Sequence, residues 1–429
     1  MNTAGHPPAT PRRGLELIPF RGLRYDPDRV GSLAAVTSPP YDVVVRPDGL
    51  HHLESADPHN IVRLILPQAD TPSARNEQAA DTLRRWLAEG VLTMDPEPGL
   101  YVYEQSDGDG LLQRGLIGAL RVSDPAENVV LPHEDVMPHV VADRAALMRA
   151  TRANLEPLLL TYRGNGSSAA AVAVERAAER PPLLSTTTED GFSHRLWSIT
   201  DPATLAGVQE DLARYQALIA DGHHRWATYR CLRAEHPSPS AWDYGLVLLV
   251  DTARYPLRVR AIHRLLHGLP VADALAALAG RFRVRHLDKP LGEALAALAD
   301  AAEEGNAFLL AGDGAFHLVD RPDPDLLART VPAGHPAAWR TLDTTVLHAT
   351  LLEHIWGIPE DSPAHVAYIH DTAATVEKAE QDGGTAVLLH PVREEVVRDL
   401  ARQGVTLPRK STSFGPKPAS GLVLRALDL

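Results

Sequence analysis

The segment that most constrains the fold is a corner where a strand runs straight into a helix. Residues 217–220 form a short apolar run, Asp221-Gly222-His223-His224-Arg225 follows, and a helix-patterned segment occupies 226–234. A buried strand that turns so tightly into a helix commits the chain to sheet packed on helix, since each element must bury one face on the other. The corner also carries chemistry. Glycine at the turn permits a close approach of the backbone, and a helix start offers N–H groups and the positive end of the helix dipole to an anion. His223 and His224 can donate to phosphate oxygens, Arg225 can grip them bidentately, and Asp221 can hold magnesium (Mg2+), often through water. An ordinary capped turn with surface histidines would use the same residues. Three phosphate-compatible side chains within five positions favour the anion site.

The 429 residues exceed one typical domain, so two lobes are expected. With 44% hydrophobic and 23% charged residues, the chain has the balance of a soluble globular protein. Its net charge of −13 argues against non-specific nucleic-acid binding, which needs clustered Lys and Arg to release counterions. A single cysteine, Cys231, excludes an internal disulfide; its place within a helix suggests a small buried thiol rather than a nucleophile. Residues 1–13 are polar, and no apolar run is long enough to cross a bilayer, so a cytoplasmic protein with no membrane partner is expected.

Ordered structure is expected from about Leu15. The prolines of Ser38-Pro39-Pro40-Tyr41-Asp42-Val43 force an irregular, extended loop that enters a short strand. Thr71-Pro72 reads as an N-cap and first-turn proline, opening a helix with Ala79, Ala80, Leu83, Trp86 and Leu87 on one face and a stop at Gly90. Residues 100–104 and 116–121 suggest a hairpin turning at Asp107-Gly108-Asp109-Gly110. Helices are expected at 143–154, from Asp201-Pro202, and at 271–279, 291–302, 343–356 and 392–403. Strands are expected at 246–250, 385–390 and 422–427, with a hairpin over 307–320 turning at Gly312-Asp313-Gly314. Strands and helices mix without strict alternation, so the class is α+β.

Three weaker constellations accompany the corner. Pro132-His133-Glu134-Asp135 offers Glu134 as a general base for a hydroxyl and Asp135 as a metal ligand, or else a solvated loop with a cap. No second histidine lies one helical turn on, so it is no zincin motif. Arg144, Arg149 and Arg152 crowd one helix, where arginines near the C-terminus commonly just complement the dipole. Lys410-Ser411-Thr412-Ser413-Phe414-Gly415-Pro416-Lys417 sets hydroxyls between two lysines, a loop able to hold phosphate, though the glycines of a P-loop are missing.

Taken together these segments resemble the bacterial and archaeal family known as domain of unknown function 1015. After Arg21-Gly22-Leu23-Arg24-Tyr25 the matching pieces come in order: 39–43, Asn60-Ile61-Val62-Arg63-Leu64, 132–134, Asp143-Arg144, 220–225, His263-Arg264, and 410–412 with Phe414 and Lys417. Ser413 and Gly415 stand where that pattern has aromatic residues, so no stacking is expected there. The corner itself is similar to the nucleotide-binding turn of the ParB and sulfiredoxin superfamily. That superfamily includes ParB clamps that bind CTP, sulfiredoxin that uses ATP, and archaeal free serine kinases.

The resemblances imply a ParB/sulfiredoxin-like mixed-sheet core over 15–267, after a loose 1–14, with a second α+β lobe over 268–429 that completes the site. They imply a nucleotide-dependent phosphotransferase acting on a small hydroxyl-bearing metabolite such as serine, with ATP, ADP or another nucleotide as co-substrate and Mg2+ as cofactor. Glu134 and Asp221 would be catalytic, and Asp221 and Asp135 would meet the metal. Gly222, His223, His224, Arg225, Lys410, Ser411, Thr412 and Lys417 would hold the phosphates, while Tyr41, Asp42, Arg63, His133 and Arg144 would hold the substrate. Sulfiredoxin chemistry needs a reactive cysteine, for which Cys231 is badly sited. The alternative is a regulatory protein that binds a nucleotide or phosphorylated ligand without turnover. A DNA-binding ParB-like protein conflicts with the net charge.

Overall fold

Apolar strands set the architecture of the computed structural model, which describes residues 14–40, 47–360 and 362–428. Tyr41 and Asp42 lie outside the described residues. The protein is α+β and divides into two units. The first holds the chain up to Pro132, Val136–Leu257, and Pro416 onward; the second holds His133–Asp135 and Arg258–Gly415.

The first unit is built on a nine-stranded mixed sheet. Its spatial order is Val130–Leu131, Ala217–Asp221, Leu158–Tyr162, Tyr244–Asp251, Gly110–Arg121, Leu100–Asp107, Ser193–Ile199 and Leu184–Thr187, with Leu17–Ile18 added on Gly110–Arg121. Ala217–Asp221 runs parallel to Val130–Leu131 and antiparallel to Leu158–Tyr162. The expected hairpin is present with longer strands: Asp107 pairs with Gly110, and its Oδ1 accepts the N–H groups of Asp109 and Gly110. Continuous apolar runs such as Leu246–Val250 are fully buried, as strands covered on both faces must be.

The helices of the first unit bury one apolar stripe each. Pro72–Ala88 starts where its caps predict, Thr71 Oγ1 accepting the Ala74 N–H at 3.2 Å, and buries Ala79, Ala80, Leu83 and Trp86. Two helices begin earlier than their hydrophobic pattern suggested. Pro138–Thr151 starts at its N1 proline, and His223–Glu235 starts directly after Gly222. These two pack together, and Arg149 locks them by donating to both carboxylate oxygens of Glu235, at 2.8 and 2.5 Å.

Cys231 is exposed, which corrects the expectation of a buried thiol. Helix His223–Glu235 buries Trp226, Tyr229 and Leu232. Five residues of helix carry Cys231 roughly 140° round the axis from Trp226, onto the outer face.

The second unit has a six-stranded sheet of antiparallel neighbours. It is ordered Arg283–Leu287, Phe316–Asp320, Ala307–Ala311, Thr385–Leu389, His263–Leu266 and Val366–Ile369. The expected helices appear as Val271–Leu278, Leu291–Glu304 and Glu394–Arg402. The one expected over 343–356 begins as Asp343–Val346 and widens into a π-helix over Leu347–Trp356. Among the described residues no helix is long and apolar enough to cross a membrane.

Gly245 shows how tightly the first unit is packed. A Cβ there would meet the Tyr229 ring at 2.1 Å, whereas one at Gly108, in the hairpin turn, would meet nothing within 4 Å. Gly245→Ala should therefore lower unfolding stability by about 1–3 kcal/mol in a denaturant titration. Gly108→Ala should stay within about 0.5 kcal/mol of the parent.

Candidate functional site

The corner is shaped by two backbone irregularities. Ile219 pairs with Leu160 but Asp221 pairs with Leu159, so Ala220 is an extra residue, a bulge that re-aims the strand end. Gly222 then takes φ 99° and ψ 32°, a left-handed conformation that only glycine adopts cheaply. A side chain at Gly222 would also strike Leu158 Cγ at 2.8 Å and the Arg225 guanidinium at 3.2 Å. Glycine has no side chain to cap the helix, so the helix start at His223 keeps its backbone N–H end unobstructed by one.

Asp221 sits between two cations. Lys417 Nζ lies 2.8 Å from its Oδ1, and Arg225 Nη2 donates to its Oδ2 at 2.7 Å. Arg225 Nη1 donates to the Pro157 carbonyl at 3.1 Å and lies 3.7 Å from Glu156 Oε2. Burial pushes the Asp221 carboxyl upward, yet Lys417 and Arg225 win and hold it down at about 2. Asp221 is thus ionised throughout the physiological range, and its value reports a strongly positive potential at the end of this strand. Each charge-assisted bond of this kind contributes on the order of 1.5–3 kcal/mol.

The two histidines are not equivalent. Burial drives the His223 imidazole down to about 4, against an opposing pull from Asp221, so it is neutral near pH 7. His224 Nε2 accepts the Met137 backbone N–H at 3.1 Å, which assigns its proton to Nδ1. That bond ties the corner to the start of helix Pro138–Thr151.

Lys417 is held in place by its own segment. Pro416 O accepts from Gln113 Nε2 at 2.9 Å, Ala419 N–H reaches the Tyr103 hydroxyl at 3.3 Å, and Ser420 Oγ donates to Glu156 Oε1 at 3.0 Å. Ser420 also exchanges two backbone bonds with Ser38. Sequence reasoning grouped Lys417 with Lys410 in one loop and missed its direct pairing with Asp221; it missed Glu156 altogether. No local pattern marks either contact, because the partners are far apart in the chain.

The remaining expected residues divide between the two units. His133, Glu134, Asp135, Lys410, Ser411 and Thr412 belong to the second unit. There His133 is buried, its Nε2 3.0 Å from Thr412 Oγ1, and its ring packs 5.5 Å from that of Phe414. Ser411 is buried too, donating to Pro408 O, with its Oγ 3.0 Å from Thr344 Oγ1. Glu134 is half-buried, Asp135 is exposed, and Lys410 is exposed with a left-handed φ of 56°. In the first unit Arg144 Nη1 reaches the Ile65 carbonyl at 3.4 Å, and Arg63 Nη2 donates to the Glu54 carbonyl at 2.7 Å. Arg152 pairs with Asp428 and closes its helix with φ 49°. Among the described residues no group of three or more His, Cys, Asp or Glu is arranged to hold a metal.

The state of His223 can be checked directly. Its folded value, about 4, lies below its ordinary 6.5. The unfolded chain therefore binds the extra proton first as pH falls. The stability from keeping His223 neutral is complete above 6.5 and is lost as pH falls towards about 4. Titration of the imidazole by NMR should give a midpoint near 4. Asp221→Asn, which removes the one charge favouring the imidazolium, should move it lower still.

The family described as protein of unknown function (DUF1015) matches residues 17–345, and the chain belongs to that family. No curated protein matches. Among solved structures, a free serine kinase variant in complex with ADP is 14% identical with a TM-score of 0.35, covering 67% of this chain and 84% of that one. A conserved hypothetical protein from Pyrococcus furiosus is 14% identical with a TM-score of 0.33, covering 67% and 87%. SbnI with a C-terminal truncation, from Staphylococcus aureus, is 10% identical with a TM-score of 0.35, covering 70% and 82%.

Proposed function

We propose that this family member is a nucleotide-dependent phosphotransferase acting on a small hydroxyl-bearing metabolite, with serine-type amino acids as the first acceptors to test. The observation that carries the reading is the ionised Asp221 held between Lys417 and Arg225 at an uncapped helix start. A field that keeps a half-buried carboxylate charged will also favour phosphate oxygens at the same helix end. A nucleotide is preferred to free phosphate because the corner resembles the nucleotide-binding turn of the ParB and sulfiredoxin superfamily.

In this reading the helix N–H groups, Lys417 and Arg225 bind the phosphates and neutralise charge as the terminal phosphoryl group moves. The bond from that phosphorus to the leaving phosphate breaks, a bond to the acceptor oxygen forms, and the acceptor proton passes to a base. Asp221 is too acidic to be that base and serves to hold the two cations in place. Glu134, whose carboxylate the sequence offers as a general base for a hydroxyl, is the residue to test in that role. Magnesium is compatible as the nucleotide's own ion. Both Asp221 oxygens are paired with Lys417 and Arg225, so phosphate and water would supply most of its ligands, and Asp221 could join them only by giving up one of those pairs.

One observation favours the second reading, a nucleotide-binding regulator without turnover. Arg225 is already engaged by Asp221, Pro157 and Glu156, so a phosphate must compete for it.

A thermal-shift screen of nucleotides with magnesium tests both readings, since absence of any shift removes both. Lys417→Ala should weaken nucleotide affinity roughly tenfold to a hundredfold, the loss of one charge-assisted phosphate bond. Arg225→Ala should abolish the shift; a shift surviving intact would place the phosphates elsewhere. Glu134→Gln then separates the readings. Phosphoryl transfer lost with nucleotide affinity retained marks an enzyme, and indifference to the change marks a binding protein.

A further inference from the structure

A cavity of about 270 Å³ opens among three helices of the first unit, Pro47–Ala56, Val62–Ile65 and Pro72–Ala88. Glu54, Arg63, Gln68, Gln78, Thr82 and Arg85 supply its polar lining, and none of them belongs to the Asp221 corner. The volume falls just below the range for drug-sized ligands, on the order of 300–1,000 Å³, and suits a smaller molecule.

What marks this cavity is an excess of positive charge among the described residues that line it, two arginines against the one carboxylate of Glu54. A guanidinium has five N–H donors. Arg63 uses Nη2 on the Glu54 carbonyl, and its buried Nε has no acceptor. Arg85 is exposed, and Asp81, one turn before it, pairs with Arg84 instead. Among the described residues neither Arg63 nor Arg85 has a carboxylate partner within ion-pair distance. Two cations without an ion-pair partner on one concave surface leave it net positive and raise the local concentration of anions. The side-chain amide of Gln78 and the Thr82 hydroxyl add neutral donors beside them.

The wall that carries Arg63 is firmly set. Asn60 is fully buried; its Nδ2 donates to the Ala35 carbonyl at 2.7 Å and its Oδ1 accepts the Val62 N–H at 3.0 Å. On the other wall Trp86 is buried against Tyr25 and His59. A preorganised guanidinium costs little to bind with, because its side chain is already ordered.

We propose that this cavity binds a small organic anion of roughly amino-acid size, a carboxylate or a phosphate monoester. Arg63 and Arg85 take the anionic group, and Glu54 accepts a hydrogen bond from an ammonium or hydroxyl group on the same molecule. The proposal is independent of the phosphate reading of the Asp221 corner.

Calorimetric titration of the full chain with L-aspartate, O-phospho-L-serine and inorganic phosphate tests it and separates carboxylate from phosphate as the bound group. At least one probe should bind at millimolar concentration or below. Arg85→Ala and Arg63→Gln should each weaken that binding about tenfold or more, the loss of one charge-assisted bond. Arg225→Ala should leave it within about twofold while removing the nucleotide-induced thermal shift. Binding that persists in both Arg63 and Arg85 variants overturns the proposal, as does wild-type protein that binds none of the three. Binding lost only in Arg225→Ala also overturns it and assigns the anion to the corner. Should Arg63→Gln fail to fold by circular dichroism, Arg85→Glu reverses the charge at an exposed position and decides the matter alone.

Discussion

The Asp221 carboxylate is the junction on which the first unit depends. It ends a strand one in from the edge of the large sheet, precedes the left-handed Gly222, and receives one cation from the following helix and another from the C-terminal segment. Burial alone would protonate it. Two cations within hydrogen-bond distance outweigh that cost, so a charged group persists where an isolated one would be expelled or neutralised. Two stretches distant in sequence, the 221–225 corner and the segment of Lys417, are thereby held to one point. The bulge at Ala220 and the tight approach of Leu158 to Gly222 let the carboxylate face both partners.

A related solution recurs within the second unit. Arg264 is fully buried, and its Nη2 lies 2.9 Å from His348 Nε2, whose Nδ1 lies 3.1 Å from Glu360 Oε2. Burial pulls the guanidinium down to about 10 and lowers His348 as well, so the imidazole acts as a neutral spacer between cation and carboxylate. The Tyr368 ring covers the guanidinium at 4.8 Å. His263 is likewise neutral and structural: its Nδ1 accepts the Leu389 N–H and its Nε2 donates to Thr372 Oγ1. Histidines that look like ligands in a sequence here serve as uncharged connectors.

Local signals in the sequence were readable where the physics is local. Thr71-Pro72, the Asp-Gly turn at 107–110 and the glycine turn at 312–314 each act on neighbouring residues, and all three elements are present. Errors arose where burial decides. The periodicity that placed Cys231 on a helix did not say which face would meet the sheet. The loop at 410–417 reads as one phosphate-binding stretch, yet Ser411 and Thr412 are buried in hydrogen bonds of the second unit while Lys417 pairs within the first.

The sequence by itself determined the strand–glycine–helix corner, because the left-handed turn, the apolar run and the helix periodicity are properties of adjacent residues. Only the tertiary structure decided which cations flank Asp221, how acidic the carboxylate becomes, and that burial keeps His223 neutral. Those are consequences of desolvation and of Coulomb interactions among groups that the chain brings together from far apart, and nothing in the order of the residues records the distance between them.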